Sequence, residues 1–151
     1  MKFLNNLISR IKGENFVLDE KIPLNYLLGL VSGRTFMLIY GICKFRRFGK
    51  IFIHRTSRIK CPSKIVTIGN LTVDRGCYID ALSIDGIKFG NNVSIGKNTV
   101  IECTGTLKLL GKGLSVGNNV GLGTHGFFGC AGGIIIGDDT IFGNYVSLHS
   151  E

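Results

Sequence analysis

The sequence predicts an all-β fold, a parallel β-helix preceded by a helical N-terminal segment. Large apolar residues recur every six positions in three runs, 89/95/101, 116/122/128 and 136/142/148, and glycine usually follows them. A period of six fits neither strand alternation nor the helix repeat, but it suits a solenoid with one short strand and one turn per repeat. An antiparallel β-sandwich is the competing interpretation, and nine positions on one frame argue against it.

The N-terminal segment carries two helical patterns. Four apolar residues between Leu4 and Ile11 have helical spacing and predict a short amphipathic helix. A second helix is predicted from Ile22 to Cys43, where the chain is apolar almost all round. Its length would allow a membrane span, but Arg34 near its middle makes spanning costly. An interfacial or partner-packed helix is therefore expected.

Positive charge is concentrated in the same part of the chain. The net charge is +8, and the stretch from Lys21 to Val73 contains ten basic residues and no acid. Residues 22–50 could rest on an anionic membrane, with rings at the boundary and cations on the headgroups. Alternatively this segment caps the N-terminal end of the solenoid. A nucleic acid partner is not expected, because no binding motif accompanies the charge.

The hexads define a predicted β-helix domain, residues 50–151, that follows the N-terminal segment, residues 1–49. In each hexad the large residue should point into the coil and stack on its equivalent in the next coil. The residue four positions later should be a smaller inward contact. These smaller residues are Val93, Thr99, Val120, Thr140 and Val146.

Turns and loops are predicted between the hexads. Gly-Asn-Asn at 90–92 and 117–119, and Gly-Asp-Asp at 137–139, should form turns in which these residues adopt positive φ. The frame is interrupted at 107–114 and at 130–134. Both interruptions predict loops that leave the coil.

The cysteines and the N-terminus indicate a cellular compartment. The five cysteines are widely spaced without a Cys-x-x-Cys motif, which predicts small buried side chains in a reducing compartment. No signal peptide is visible at the N-terminus. A cytoplasmic protein is expected, and peripheral contact with the inner face of a membrane stays open. The cysteines are Cys43, Cys61, Cys77, Cys103 and Cys130.

Together with the hexad frame, the segments 101–107, 116–121 and 132–139 resemble the hexapeptide-repeat acyltransferases, especially those that acetylate sugars of bacterial surface polysaccharides. The resemblance covers roughly residues 50–151. It implies a left-handed β-helix assembled as a homotrimer. It also implies an O-acetyltransferase that moves an acetyl group from acetyl-CoA to a sugar hydroxyl, without a metal. The sugar itself is not predicted.

The resemblance also implies the candidate catalytic residues. In the family a histidine removes the proton from the acceptor hydroxyl, which attacks the thioester, while backbone donors stabilise the oxyanion. His149 matches a position just before that histidine, which would fall beyond Glu151, so a C-terminally truncated chain is expected. His125 lies on a turn where relatives often carry Asn near the acceptor. Both are candidate catalytic residues, and His149 is expected to lie close to the site without being the base itself. His54 is expected on the surface, and no CoA-binding residue is predicted.

Two other functions stay open at the level of sequence. A truncated, non-catalytic trimeric scaffold would need no base at all. A zinc-dependent carbonic anhydrase on the same solenoid would need two histidines close together and a third from another coil. The histidines at positions 54, 125 and 149 are unpaired in sequence, which disfavours the zinc interpretation.

Overall fold

The computed structural model describes residues 19, 21–46 and 49–150. The chain divides into two compact units, Met1–Arg34 and Thr35–Glu151, with the boundary inside a helix. That helix, α1, runs from Leu24 to Phe45. The short amphipathic helix predicted between Leu4 and Ile11 lies outside the described residues.

Within residues 49–150, thirteen short strands follow α1. They are β1 (Ile51–Ile53), β2 (Arg58–Lys60), β3 (Ile65–Thr67), β4 (Leu71–Val73), β5 (Tyr78–Asp80), β6 (Ile87–Phe89), β7 (Val93–Ile95), β8 (Val100–Glu102), β9 (Leu114–Val116), β10 (Gly121–Leu122), β11 (Phe127–Cys130), β12 (Ile134–Ile136) and β13 (Ser147–Ser150). A 3₁₀ turn, Pro62–Lys64, connects β2 to β3.

The strands form three parallel sheets, each of which takes one strand from each of the first four coils, and the last coil adds a strand to sheet B alone. Sheet A contains β1, β4, β7 and β10, sheet B contains β2, β5, β8, β11 and β13, and sheet C contains β3, β6, β9 and β12. Leu71 pairs with Ile51 twenty residues earlier, and Val93 pairs with Leu71 twenty-two residues earlier. The predicted parallel β-helix is confirmed. Its handedness stays a prediction.

The six-residue frame places its large side chains in the interior, as predicted. Phe89, Ile95, Ile101, Leu122 and Phe128 are almost completely buried and belong to one continuous core cluster. In the last coil, the frame residues at 142 and 148 are partly buried and pack against the same core. Each side chain therefore stacks on those of neighbouring coils, and one coil depends on the next for its burial.

Polar side chains stack at the corner between sheets C and A. Asn92 Nδ2 donates to Asn119 Oδ1 at 3.1 Å, and Asn119 Nδ2 donates to Asp139 Oδ1 at 2.9 Å. All three residues have φ between 54° and 57°. The positive φ predicted for these turns thus falls on the last residue of each motif. Ladders of this kind satisfy neighbouring amides along the axis of a stack.

The glycines that open the same motifs have a different role from the one predicted. Neither Gly90 nor Gly117 has a positive φ. A Cβ on Gly90 would lie 2.5 Å from the carbonyl oxygen of Gly117 on the next coil. Glycine is needed here because the backbones of successive coils approach too closely for a side chain, not because of its backbone angles.

One of the two predicted loops is confirmed and the other is wrong. Residues 103–113 connect β8 to β9, and the side chain of Leu107 is 87% exposed. By contrast, 130–134 is an ordinary corner of the coil. Cys130 is buried at the end of β11, Gly133 turns the chain with φ 93°, and Ile134 opens β12. The frame breaks there because the inward residues on either side of this corner, Phe128 and Ile136, are eight positions apart instead of six.

Helix α1 has a packed side and an exposed side within the second unit. Tyr40 and Phe45 pack against the core, and a Cβ on Gly41 would collide with the carbonyl oxygen of Ile51. Phe36 and Ile39 are exposed instead. The helix is long and apolar enough to cross a membrane, and only 11% of its most apolar stretch is buried.

Candidate functional site

His149 lies near the end of β13 on the outer face of sheet B, in an exposed position as predicted. Its Nε2 is 2.8 Å from Ser147 Oγ, and its ring lies 5.0 Å from that of Phe127, tilted by 31°. The facing residue on β11 is Gly129, whose missing side chain leaves room for the imidazole. The ring is therefore oriented by a hydroxyl and an aromatic neighbour while staying open to solvent.

His125 lies at the corner between sheets A and B. Its ring stacks on Tyr145 with 4.9 Å between centroids and 16° between planes. On the other side Asn98 Nδ2 donates to His125 Nε2 at 3.1 Å. All three residues have φ between 55° and 59°, because they occupy the same turn position in successive coils. The lone pair that a general base would use thus accepts the hydrogen bond from Asn98.

The two candidate histidines do not meet. His149 pairs in register with Gly129, which is four residues beyond His125 on the preceding coil. At about 3.3 Å per strand residue, that offset is roughly 13 Å along the coil. One proton relay cannot contain both side chains at this separation, so their catalytic roles stay separate predictions. His54 is remote from both, on the first coil, with Nδ1 2.8 Å from Thr56 Oγ1.

A groove of about 390 Å³ lies at the corner between sheets B and C, and sequence reasoning did not find it. Lys88, Lys112 and Asp85 line it, together with Ser115 and several glycines. The Lys112 stem packs over Gly133, where a Cβ would lie 3.0 Å from Lys112 Cδ. The groove therefore has a backbone floor and two cationic side chains in its walls, which suits an anionic ligand.

One residue of the groove lining is hydrogen-bonded to the strand that carries His149. Gly132, in the groove lining, donates its backbone N–H to the Ser150 carbonyl at 3.0 Å, and Ser150 directly follows His149. Neither lysine lies on the six-residue frame. Lys88 lies on β6, and Lys112 lies at the end of the long loop just before β9. The pairing of β6 with β9 brings both lysines to the same groove. The only sequence signal was the lysine between two glycines at 111–113.

The described cysteines are not a candidate nucleophilic site. Cys77, Cys103 and Cys130 are buried, as predicted, but Cys43 is exposed on α1 and Cys61 is half-buried at a corner with φ 51°. The prediction that all five are buried is wrong, because the coil interior receives only the inward positions. Burial raises the pKa of Cys77, whose thiol donates to the Gly96 carbonyl at 3.0 Å. The hydrogen bond with Cys130, together with burial, raises the pKa of Cys103.

These thiols give a prediction for alkaline pH. In the folded chain Cys77 and Cys103 keep their protons above the ordinary pKa of 9.0, whereas in the unfolded chain they ionise there. The free energy of unfolding should fall as pH rises above 9.0, by up to about 1.4 kcal/mol per pH unit for each thiol. Urea unfolding on either side of this pH measures the slope. A Cys77→Ala/Cys103→Ala variant should have a shallower slope, and Cys43→Ala should not; equal slopes would contradict the assignment.

No group of three histidine, cysteine or acidic side chains within residues 19, 21–46 and 49–150 is arranged to hold a metal ion. The described side chains instead define a β-solenoid with a lysine-lined groove at the corner between sheets B and C and an exposed histidine on sheet B. Comparison of the chain with models of protein families, with curated proteins and with solved structures finds no match.

Proposed function

We propose that the protein is an acetyl-CoA-dependent O-acetyltransferase that acts on a sugar hydroxyl of a bacterial surface polysaccharide or its precursor. The observation that carries the proposal is the groove of Lys88 and Lys112, whose lining residue Gly132 is hydrogen-bonded to Ser150, the neighbour of His149. The β-helix and the resemblance of the hexads to those of acyltransferases support the same activity. A homotrimer, in which a second copy adds the other wall of the groove, is part of the proposal.

The groove fits part of the acyl donor. Its volume is at the lower end of the roughly 300–1,000 Å³ typical of small-molecule sites. Lys88 and Lys112 would bind the phosphates of acetyl-CoA, since ammonium groups bind phosphate as point charges. The backbone floor leaves room for the pantetheine arm, whose thioester would then lie toward His149. Asp85, which also lines the groove, would repel phosphate, so the phosphates should lie nearer the lysines.

The resemblance places the family's base just after His149, but among the described residues the exposed Nε2 of His149 is the group proposed here as the general base. The Ser147 hydroxyl, 2.8 Å from Nε2, already occupies the position that a sugar hydroxyl needs in order to lose its proton. In the proposed step, the acceptor oxygen forms a bond to the acetyl carbonyl carbon while its proton moves to Nε2. The carbon–sulfur bond then breaks, and the imidazolium returns the proton to the leaving thiolate. The products are the acetylated sugar and free CoA.

The proposal is tested by thiol release from acetyl-CoA in the presence of a panel of sugars and surface polysaccharides. Release that depends on a particular acceptor, with acetate recovered on that acceptor as an ester, is the expected result. Absence of both thiol release and acetyl-CoA binding would contradict the enzyme and favour a scaffold. The mass of the assembly in solution tests the trimer separately.

Removing the two groove lysines should selectively weaken the binding of the acyl donor, acetyl-CoA. In a Lys88→Gln/Lys112→Gln variant we expect the KM for acetyl-CoA to rise roughly tenfold with little change in kcat, because the phosphate contacts are made equally before and during the reaction. With acetyl-pantetheine, which lacks the nucleotide phosphates, variant and parent should be alike. Lys97→Gln/Lys108→Gln removes the same charge elsewhere and serves as control. An unchanged KM would place the donor outside this groove.

A further inference from the structure

The exposed side of α1 is an apolar surface that no other described residue covers. Phe36 is 72% exposed and Ile39 is 53% exposed, on the side opposite the residues that pack against the core. The earlier half of the same helix carries further exposed apolar side chains. These are Leu24, Tyr26, Leu28 and Leu30. Single exposed apolar residues are ordinary on a protein surface, whereas a helix with this many indicates an interaction surface.

The charge next to this surface indicates the kind of partner that binds it. Arg46 and Lys50 follow the end of α1 and are exposed, and the first coil adds Arg55, Arg58 and Lys64, all exposed. Lys60, also on this coil, is paired with Asp80 at 3.4 Å. Between Lys21 and Val73 the sequence has no acidic residue to offset these cations. Apolar side chains beside uncompensated cations complement an anionic lipid surface, which offers a hydrocarbon layer under negatively charged headgroups.

We propose that α1 binds in the headgroup region of an anionic membrane, with Phe36 and Ile39 in the acyl boundary and the basic residues of the first coil on the lipid headgroups. The helix lies in the interface and does not cross the bilayer, because Arg34, Ser32 and Asn25 would have to enter the hydrocarbon. This binding is independent of acetyl transfer, and it would hold the β-helix at a membrane surface.

The test is co-sedimentation of the protein with lipid vesicles. Binding is expected to vesicles of phosphatidylcholine mixed with phosphatidylserine, and much less to phosphatidylcholine alone. Raising the salt from 0.1 M to 1 M shortens the screening length from about 10 Å to about 3 Å and should weaken binding strongly. Equal binding to both vesicle types, or binding insensitive to salt, would overturn the proposal.

Two pairs of variants separate the apolar and the electrostatic contributions. Phe36→Ser/Ile39→Ser should lower the partition coefficient at least about 100-fold, while Leu107→Ser/Leu109→Ser, which changes equally exposed residues of the 103–113 loop, should not. Arg46→Gln/Lys50→Gln should lower it about 30-fold, while Lys97→Gln/Lys108→Gln should not. If the Phe36→Ser/Ile39→Ser variant bound vesicles as strongly as the parent protein, the proposal would be contradicted.

The same variants exclude the other occupants of this surface. If α1 covered a second copy of the chain, Phe36→Ser/Ile39→Ser would change the mass of the assembly in solution, whereas vesicle binding would not depend on phosphatidylserine. If α1 spanned the bilayer, the protein would resist extraction by alkaline carbonate. Either result overturns interfacial binding. Extraction by carbonate with an unchanged assembly mass supports it.

Discussion

Replacing His149 by alanine is expected to lower kcat for acetyl transfer by about 10²- to 10⁴-fold, which is the usual contribution of a positioned general base. The physical reason is the exposed Nε2, held by Ser147 Oγ at 2.8 Å and by the ring of Phe127. The measurement is thiol release from acetyl-CoA with a reactive acceptor, resolved into kcat and KM. The KM for acetyl-CoA should stay close to that of the parent, which a merely structural loss would not leave unchanged.

Three further variants make this result specific. His54→Ala, on the first coil, should leave the rate unchanged. Ser147→Ala should reduce it only slightly if transfer is direct, whereas abolition would indicate an acetyl-serine intermediate. His125→Ala tests the other candidate. If His125→Ala lost most of the transfer rate while His149→Ala kept normal activity, the general base would be His125, at the corner with Asn98 and Tyr145. That result would contradict the assignment to His149.

Replacing Phe128 by alanine is expected to cost about 3–5 kcal/mol of the free energy of unfolding. Phe128 is completely buried in the coil and meets Phe142 edge to face at 5.5 Å between centroids. Truncation removes the burial of the ring and leaves a cavity that neighbouring coils cannot fill. Urea unfolding followed by circular dichroism measures the loss. Because coils are stabilised by their neighbours, unfolding of the last coils before the first would also be expected.

The neighbouring phenylalanine provides a matched control. Phe127 precedes Phe128 on β11, but its side chain is on the outer face, where it is half-buried against His149. Phe127→Ala should therefore cost less than half as much as Phe128→Ala. Equal losses for the two variants would contradict the inward stacking of the six-residue frame.

The placement of His149 on an outer face was predictable, whereas its neighbours were not. It directly follows the inward Leu148, and adjacent strand residues point to opposite faces. Its partners Ser147 and Phe127 depend on the register between β13 and β11. The corner of Asn98, His125 and Tyr145 could not be predicted either. Tyrosine rarely adopts positive φ, so Tyr145, which does so here, gives no turn signal in the sequence.

The sequence by itself determined the solenoid and the inward columns. A six-residue period assigns Phe89, Ile95 and Phe128 to the interior from local spacing alone, before any distant contact is considered. Only the tertiary structure decided which residues of different coils meet. Lys88 on β6 and Lys112 at the end of the 103–113 loop line one groove because β6 pairs with β9, which directly follows that loop. The loop lengthens the spacing between paired residues to 27, from Ile87 to Leu114, whereas it is 20 from Leu114 to Ile134. The period fixes the face on which a residue lies, while the length of each coil fixes its neighbours.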